Sequence, residues 1–344
     1  MRTTLVTGAA GFIGSNFVRV FLEANPEDRV VALDRANLRY LQLALQPVAP
    51  TGVSTERLIM SAGTKIGNRK VVGGLIEKHE VSQVVNFAAE THVDRSIDTP
   101  EPFTRNNVVQ LQQLLDTIRQ YPDLHFLQVS TDEVYGDRHR LPPAREQDAL
   151  VASSPYAASK AAADLLVMAY GRTYGMNWQI TRSTNNYGPG QFPEKLIPLM
   201  ISKALTGHQL PVYGNGQQSR DWIHVDDNCV AIMDAMDRGS NCEIYNIGTE
   251  LLTNNVTIVT KVLQAVKATG GTNSQIQFVE DRPGHDRVYW VRTHKLQQHT
   301  GWTPKVELDR GIRDTVDWYR NQRQWVAAMS ERGYGTDRVG TGNK

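Results

Sequence analysis

Tyr156 and Lys160 stand four residues apart in Tyr156-Ala157-Ala158-Ser159-Lys160, a spacing that puts both side chains on one face of a helix. A tyrosine with a pKa of ~10 is a poor base at neutral pH, but an ammonium beside it favours the phenolate. Such a pair can draw the proton from an alcohol while hydride leaves for a nicotinamide. The same spacing suits a core tyrosine and a solvated lysine on an ordinary amphipathic helix, so the pair alone does not decide.

Ser130-Thr131-Asp132-Glu133 goes beyond what a plain dehydrogenase needs. Thr131 supplies a hydroxyl to bind the alcohol. The adjacent carboxyls of Asp132 and Glu133 resist ionising together. That cost is explained if one works protonated, as general acid, and the other ionised, as general base. The pair then suits elimination of water next to a carbonyl. The plain alternative is a solvated loop holding two acids.

A third group opens the chain: Thr7-Gly8-Ala9-Ala10-Gly11-Phe12-Ile13-Gly14. Gly8 permits a tight turn, Gly11 lets the backbone approach a pyrophosphate, and Gly14 allows close helix–strand packing. The helix that follows offers free N–H groups and a positive dipole end to the phosphates. Asp34 lies twenty residues beyond Gly14. Its carboxylate suits ribose hydroxyls and repels a 2′-phosphate, which favours NAD over NADP.

These groups require elements that bring them to one edge. Short apolar runs at 5–7, 29–34, 83–88, 125–130 and 178–181 predict strands, and helical patterns fill 12–24, 103–119 and 156–174. Strands alternating with helices imply an α/β fold with a doubly wound parallel sheet of Rossmann type. The Thr131–Glu133 group then sits at a strand's carboxyl end, where such sheets bind ligands. After residue 186 prolines and glycines multiply and segments shorten. The expected division is a dinucleotide-binding domain over 1–186, with about 223–240 returning to it, and a smaller mixed α/β substrate domain over 187–330. Residues 331–344 are expected to form a flexible tail.

Composition narrows the classes. The 344 residues carry 37 basic against 36 acidic side chains, a net charge of +1 that gives no reason to expect nucleic acid or a membrane surface. No apolar run approaches the ~20 residues of a membrane span. No signal-peptide pattern opens the sequence, and the cytoplasm is the expected location. The two cysteines, Cys229 and Cys242, suggest reduced structural thiols. His92, Asp94 and Arg95 are a weak metal set and are read as a loop network at the site, so no metal is expected.

With these motifs in view, the chain resembles the dTDP-glucose 4,6-dehydratases, nucleotide-sugar enzymes of the extended short-chain dehydrogenase/reductase kind. The resemblance rests on the glycine turn, VVNFAAETHVDRSI at 84–97, QVSTDEVYG at 128–136, SPYAASKAAAD at 154–164, NNYGPGQFPEKLIPLMI at 185–201, LPVYGNGQQSRDWIHVDD at 210–227, YNIG at 245–248 and DRPGHDR at 281–287. It implies that Tyr156, assisted by Thr131 and Lys160, takes the proton of a sugar 4-hydroxyl while hydride passes to NAD. Glu133 then removes the C5 proton, Asp132 protonates the departing C6 hydroxyl, and the hydride returns to C6. NAD is expected to stay bound, held by Gly8, Gly11, Phe12, Ile13, Gly14, Asp34, Ala88, Ala89, Asn106, Tyr156, Lys160 and Asn186. The nucleotide sugar is expected on Thr91, Thr131, Asn185, Lys195, Leu196, Pro211, Val212, Tyr213, Arg220 and Asn255, with the loop Asp281, Arg282, Pro283, Gly284 and His285. Arg220 suits a diphosphate. The resemblance also implies a homodimer through the helices over 103–119 and 156–174.

Residues 35–65 depart from this pattern. Arg35-Ala36-Asn37-Leu38 stands where an adenosine-wrapping segment is expected, and Gly63-Thr64-Lys65-Ile66 where an aspartate should meet adenine. Real divergence and a pair of compensating reading-frame errors both account for it; an intact mass agreeing with 38.5 kDa eliminates the second. Leu251-Leu252 replaces polar residues expected after YNIG. Competing functions are a 4,6-dehydratase or 4-epimerase acting on a UDP- or GDP-sugar, although epimerases generally lack the Asp–Glu pair. A non-catalytic NAD-binding regulator has no need of Thr131, Asp132, Glu133, Tyr156 and Lys160 together.

Overall fold

The computed structural model describes residues 1–46, 56–281 and 285–331. Arg282, Pro283, Gly284 and the expected tail beyond residue 331 lie outside the described residues, as does part of the atypical 35–65 segment.

Seven parallel strands form the central sheet: β1 (Thr3–Thr7), β2 (Arg29–Leu33), β3 (Leu58–Ser61), β4 (Gln83–Asn86), β5 (His125–Thr131), β6 (Trp178–Ser183) and, further along the chain, β10 (Glu243–Ile247). Their order is β10-β6-β5-β4-β1-β2-β3. The chain runs outward from β1 through β2 to β3, then crosses back to β4, so β1 and β4 flank the point where the order reverses. β1 is buried at all five residues, and Leu5 and Val6 are 0% exposed because helices cover both faces. A buried polar row runs across the sheet near its carboxyl edge: Thr7 donates to Asn86 at 2.5 Å, and Asn86 donates to Gln128 at 2.8 Å. Such a row fixes the register of β1, β4 and β5 under the site.

The strands proposed from sequence are present with shifted ends. The expected helix over 103–119 is three pieces: Glu101–Thr104, a π-helical stretch Arg105–Val109, and Gln110–Ile118. Widened turns of this kind gather at functional sites, and this one turns Asn107 onto Glu90 and Ser159. β3 and the helix Arg69–His79 lie within or beside the atypical segment, where the apolar pattern is weak.

β7 (Asn185–Tyr187), β9 (Ser219–His224), β11 (Leu252–Asn254) and β13 (Val288–Tyr289) form a second sheet, and β8 (Leu210–Tyr213) pairs with β12 (Ile276–Val279). The helix Val225–Arg238 packs on the helix Phe12–Ala24, and β10 completes the large sheet. Among the described residues no helix is long and apolar enough to cross a membrane.

Candidate active site

The glycine turn is built as its spacing requires. Gly8 has φ +65°, and a Cβ there would stand 2.6 Å from the Ala88 nitrogen, so the first turn and the β4 loop meet only through glycine. A Cβ on Gly14 would collide with the Gly8 carbonyl oxygen. Helix Phe12–Ala24 begins at Gly11 with no side-chain cap and no acid in its first turn. Its leading N–H groups therefore remain available for an anion.

Asp34, one residue past β2, accepts from the Ala10 N–H at 3.0 Å and from the Ala36 N–H at 2.8 Å. The carboxylate thus holds the turn and sits at the mouth of the cleft. This half of the cleft is lined by Asp34, Arg35, Thr64, Lys65, Ala88 and Asn106. Arg35 reaches across it to Glu90 at 2.7 Å, and Asn106 donates to Glu90 at 3.0 Å. The residues that replace the expected adenine contact are therefore inside the pocket, and they bring cations instead of an aspartate.

The other half of the cleft holds the chemistry. Phe12, Ile13, Ala89, Thr91, Thr131, Asp132, Glu133, Tyr156, Lys160, Asn185, Asn186 and Lys195 all line it. Gly8, Gly11, Phe87, Ala89 and Phe192 belong to both halves, so one continuous trough runs over the switch between β1 and β4. Phe192 and Glu90 are contributors not singled out from the sequence, although both stand inside the quoted motifs at 185–201 and 84–97.

β5 ends at Thr131 and turns at once into a 3₁₀ helix, Asp132–Tyr135. Thr131 is 8% exposed and Asp132 3%. Burial, and then the neighbouring Glu133, push the Asp132 carboxyl well above the usual carboxylate range. Arg220 pulls against them. Oδ2 of Asp132 is buried with no hydrogen-bond partner among the described residues. A protonated acid with an unpartnered oxygen, on a residue that lines the cleft, is equipped to donate to a ligand.

Helix Pro155–Tyr174 starts with proline at its first position, and the Ser154 side chain caps it by accepting from the Ala157 N–H at 3.1 Å. That start places Tyr156 in the first turn and Lys160 one turn deeper, 7% and 4% exposed. Burial and the Glu133 charge hold the Tyr156 phenol above its ordinary value, and a hydrogen bond with Thr131 works the other way. Lys160 is pushed down to about 8 by burial, and its ammonium donates to the Val129 carbonyl at 2.7 Å. Lys160 is thereby tied to β5 one helical turn from Tyr156.

Lys195 donates to the Thr91 carbonyl at 2.9 Å across the cleft. His92 caps the short helix Val93–Asp98, and Arg95 pairs with Glu194 at 2.5 Å, so the H-x-D segment forms a loop network. Arg220 on β9 is 5% exposed, stacks 4.2 Å over the Tyr289 ring, and donates to the Asp286 carbonyl at 2.8 Å. Asp281 pairs with His285 at 2.7 Å and accepts from Gln218 at 2.7 Å, with the Tyr213 ring beside His285. Leu196, Pro211, Val212, Tyr213, Arg220, Asn255, Asp281 and His285 do not line the trough itself. Leu196 opens the helix Leu196–Leu205, Pro211 to Tyr213 lie in β8, and Asn255 opens the helix Asn255–Ala268.

Comparison with known proteins adds an independent line. The family described as GDP-mannose 4,6 dehydratase matches residues 5–315. The chain is 42% identical to a dTDP-glucose 4,6-dehydratase of Xanthomonas campestris pv. campestris, covering 99% of each chain. It superposes on the crystal structure of a dTDP-glucose 4,6-dehydratase from Streptomyces venezuelae, solved with NAD, with a TM-score of 0.86, 40% identity, and coverage of 95% of this chain and 99% of that one. A dTDP-glucose 4,6-dehydratase from Bacillus anthracis, also in complex with NAD, gives 0.84 at 37% identity over 96% of this chain and 100% of that one.

Proposed function

The chain belongs to the dTDP-glucose 4,6-dehydratase family, and we propose that it converts dTDP-glucose to dTDP-4-keto-6-deoxyglucose with a resident NAD. One observation carries this reading: a buried, partly unpartnered Asp132 shares one cleft with Glu133, Thr131 and Tyr156, directly beside an uncapped glycine-rich helix start. A simple dehydrogenase or an epimerase has no use for that acid pair.

The turn fits a dinucleotide. Side chains at Gly8 or Gly14 would fill the cradle, and the Gly11 helix start leaves donors for the pyrophosphate. Asp34 supplies the acceptor for ribose hydroxyls. When bound, NAD supplies the hydride acceptor for C4, the donor for C6, and a positive charge that favours the tyrosinate.

The chain's own residues move the protons. Tyr156 takes the proton of the 4-hydroxyl, oriented by the hydroxyl of Thr131. The resulting 4-keto group acidifies C5, and Glu133 takes that proton and returns one to C5 when C6 is reduced. Asp132, held protonated by its burial, gives its proton to the C6 hydroxyl, which leaves as water. Lys195 and Arg220 are assigned to the nucleotide sugar, Arg220 to its diphosphate. Association into a homodimer through the helices over 103–119 and 156–174 is part of the proposal, supported by the exposed apolar side chains of Val109 and Leu165 in them. A cytoplasmic location is part of it too.

The test is a panel of dTDP-, UDP- and GDP-hexoses, with the alkali-induced absorbance of a 4-keto sugar as readout. Product from dTDP-glucose at the highest kcat/KM is expected. Epimerised hexose without a 4-keto product would reject the dehydratase reading.

A further inference from the structure

Asp164 is the only acid in helix Pro155–Tyr174, and the proton transfers above do not use it. It follows Lys160 by four residues, as Lys160 follows Tyr156, so the three lie along one side of the helix. It is 0% exposed. Arg182 of β6, 1% exposed, donates to Asp164 Oδ2 through Nε at 2.9 Å. The guanidinium is fixed elsewhere as well. It donates to the Tyr135 hydroxyl at 2.8 Å and to the Glu146 carbonyl at 3.2 Å, and it lies 4.9 Å over the Tyr135 ring.

A buried ion pair is rarely the most stable way to fill such a space; apolar residues of similar volume are often as good or better. The placement points to a use. Oδ1 of Asp164 and the Ser130 hydroxyl at the end of β5 are both buried, and that hydroxyl helps to hold the carboxylate charged.

We infer that Asp164, held by Arg182, is a positioning residue that keeps Lys160 in its charged form beside Tyr156. The inference rests on the function proposed above for the meaning of that charge. Lys160 has Tyr156 and Asp164 one turn away along its own helix, donates to Val129 of β5, and shares the cleft with Ser130, Asp132 and Glu133; Arg182 of β6 reaches it only through Asp164. Asp132 is held toward its neutral form by burial. Burial works to discharge the lysine, and Asp164 is the group that works against it. Burial pushes the Asp164 carboxyl above the usual carboxylate range, and Arg182 and Lys160 pull it back toward ionisation. The arrangement is one carboxylate between two cations, so the charge that assists the tyrosinate is stabilised from beneath, out of contact with the substrate.

The test uses full-length protein without added substrate. Trace acetic anhydride labels Lys160 across a pH series, and peptide mass spectrometry reads the midpoint of its reactivity. The wild-type midpoint is expected near 8. Asp164→Asn leaves Arg182 buried and unpaired, which threatens folding. The decisive variant is therefore Asp164→Asn with Arg182→Met, which removes both charges of the pair. Its midpoint is expected to fall by roughly one pH unit or more, with kcat at neutral pH falling several-fold and KM little changed. An unmoved midpoint in a folded double variant overturns the inference. Labelling needs no turnover, so a wild-type enzyme inactive on dTDP-glucose would reject the function while leaving this result readable.

Discussion

Thr131 donates its hydroxyl to Oδ1 of Asp132 at 3.2 Å, and the same hydroxyl oxygen accepts the Glu133 N–H at 3.3 Å. One small side chain therefore orients the acid that follows it and anchors the turn that carries the next. Tyr156 lines the same cleft. The groups assigned to oxidation and to elimination thus meet at the end of one strand, whose register is fixed by the buried Asn86–Gln128 contact at 2.8 Å.

Glu133→Gln is expected to slow elimination by ~10²–10⁴-fold, the usual contribution of a general base. Its shape is kept, and the dinucleotide contacts lie elsewhere, so NAD content is expected to stay near wild type. Oxidation at C4 is not impaired, because the Glu133 charge opposes ionisation of Tyr156. Reduced-cofactor absorbance should then accumulate on substrate without 4-keto-6-deoxy product. Wild-type turnover in this variant would remove Glu133 from its role.

Asp132 makes a pH prediction. Its carboxyl is raised by burial and by Glu133, so it stays protonated to higher pH than a solvated acid. Its acid function is present below that raised value and is lost as pH climbs through it, giving kcat an alkaline limb. Asp132→Asn cannot donate the proton. It is expected to lower kcat by ~10²-fold or more and to remove this limb. A 6-fluoro substrate, whose leaving group needs less protonation, should recover much of the loss; no recovery would mean that Asp132 serves another step.

Much of this was legible from sequence, and for definite reasons. Gly8, Gly14, Asp34, Tyr156 and Lys160 announce themselves because backbone approach and helical spacing restrict the residue types. The Asp132–Glu133 pair was visible because adjacent acids at a strand end need an explanation. What was not legible is what depends on distant chain segments. Arg35 meets Glu90 across 55 positions, and Arg182 meets Asp164 between a strand and a helix. The bond from Lys160 to the Val129 carbonyl joins helix and strand across 31 positions, which no local spacing reveals. The π-helical stretch Arg105–Val109 likewise carries no local signal and is set by contacts with Glu90 and Ser159.

The glycines separate local strain from steric collision. Gly8→Ala combines φ +65° with a Cβ 2.6 Å from the Ala88 nitrogen, and is expected to abolish NAD retention and cost about 3 kcal/mol. Gly63→Ala has φ +74° but nothing within 4 Å, so about 1 kcal/mol is expected with cofactor kept. Gly74→Ala, inside the helix Arg69–His79 with open space around it, should stabilise by roughly 0.5–1 kcal/mol. Urea midpoints and bound-cofactor absorbance check all three, and equal effects across the set would contradict the geometry.

Leu165 is 55% exposed on helix Pro155–Tyr174, and Val109 is 44% exposed at the start of the neighbouring helix. Leu165→Glu places a charge where the proposed partner helix packs. Sedimentation velocity should show a dimer for the wild type and a shift toward monomer for the variant. A wild-type monomer would reject the association outright.

Lys160 exposes the tension between stability and chemistry. Its folded value of about 8 lies below the ordinary 10.5 because burial disfavours the ammonium. Well above 10.5 the side chain is neutral both folded and unfolded, and it contributes nothing. As pH drops from 10.5 toward 8 the unfolded chain gains a proton that the folded chain does not, so stability falls through that window. Below 8 the penalty is complete, on the order of 3 kcal/mol from the size of the shift. Lys160→Met removes it and gives up the hydrogen bond to the Val129 carbonyl, worth about 1 kcal/mol. The variant is therefore expected to be inactive yet more stable than wild type by about 2 kcal/mol at neutral pH, with the gain shrinking toward alkaline pH. Paired urea titrations across that range read both sign and slope. A gain that grows with pH would mean that the folded protein holds the lysine's proton more tightly than the unfolded chain does.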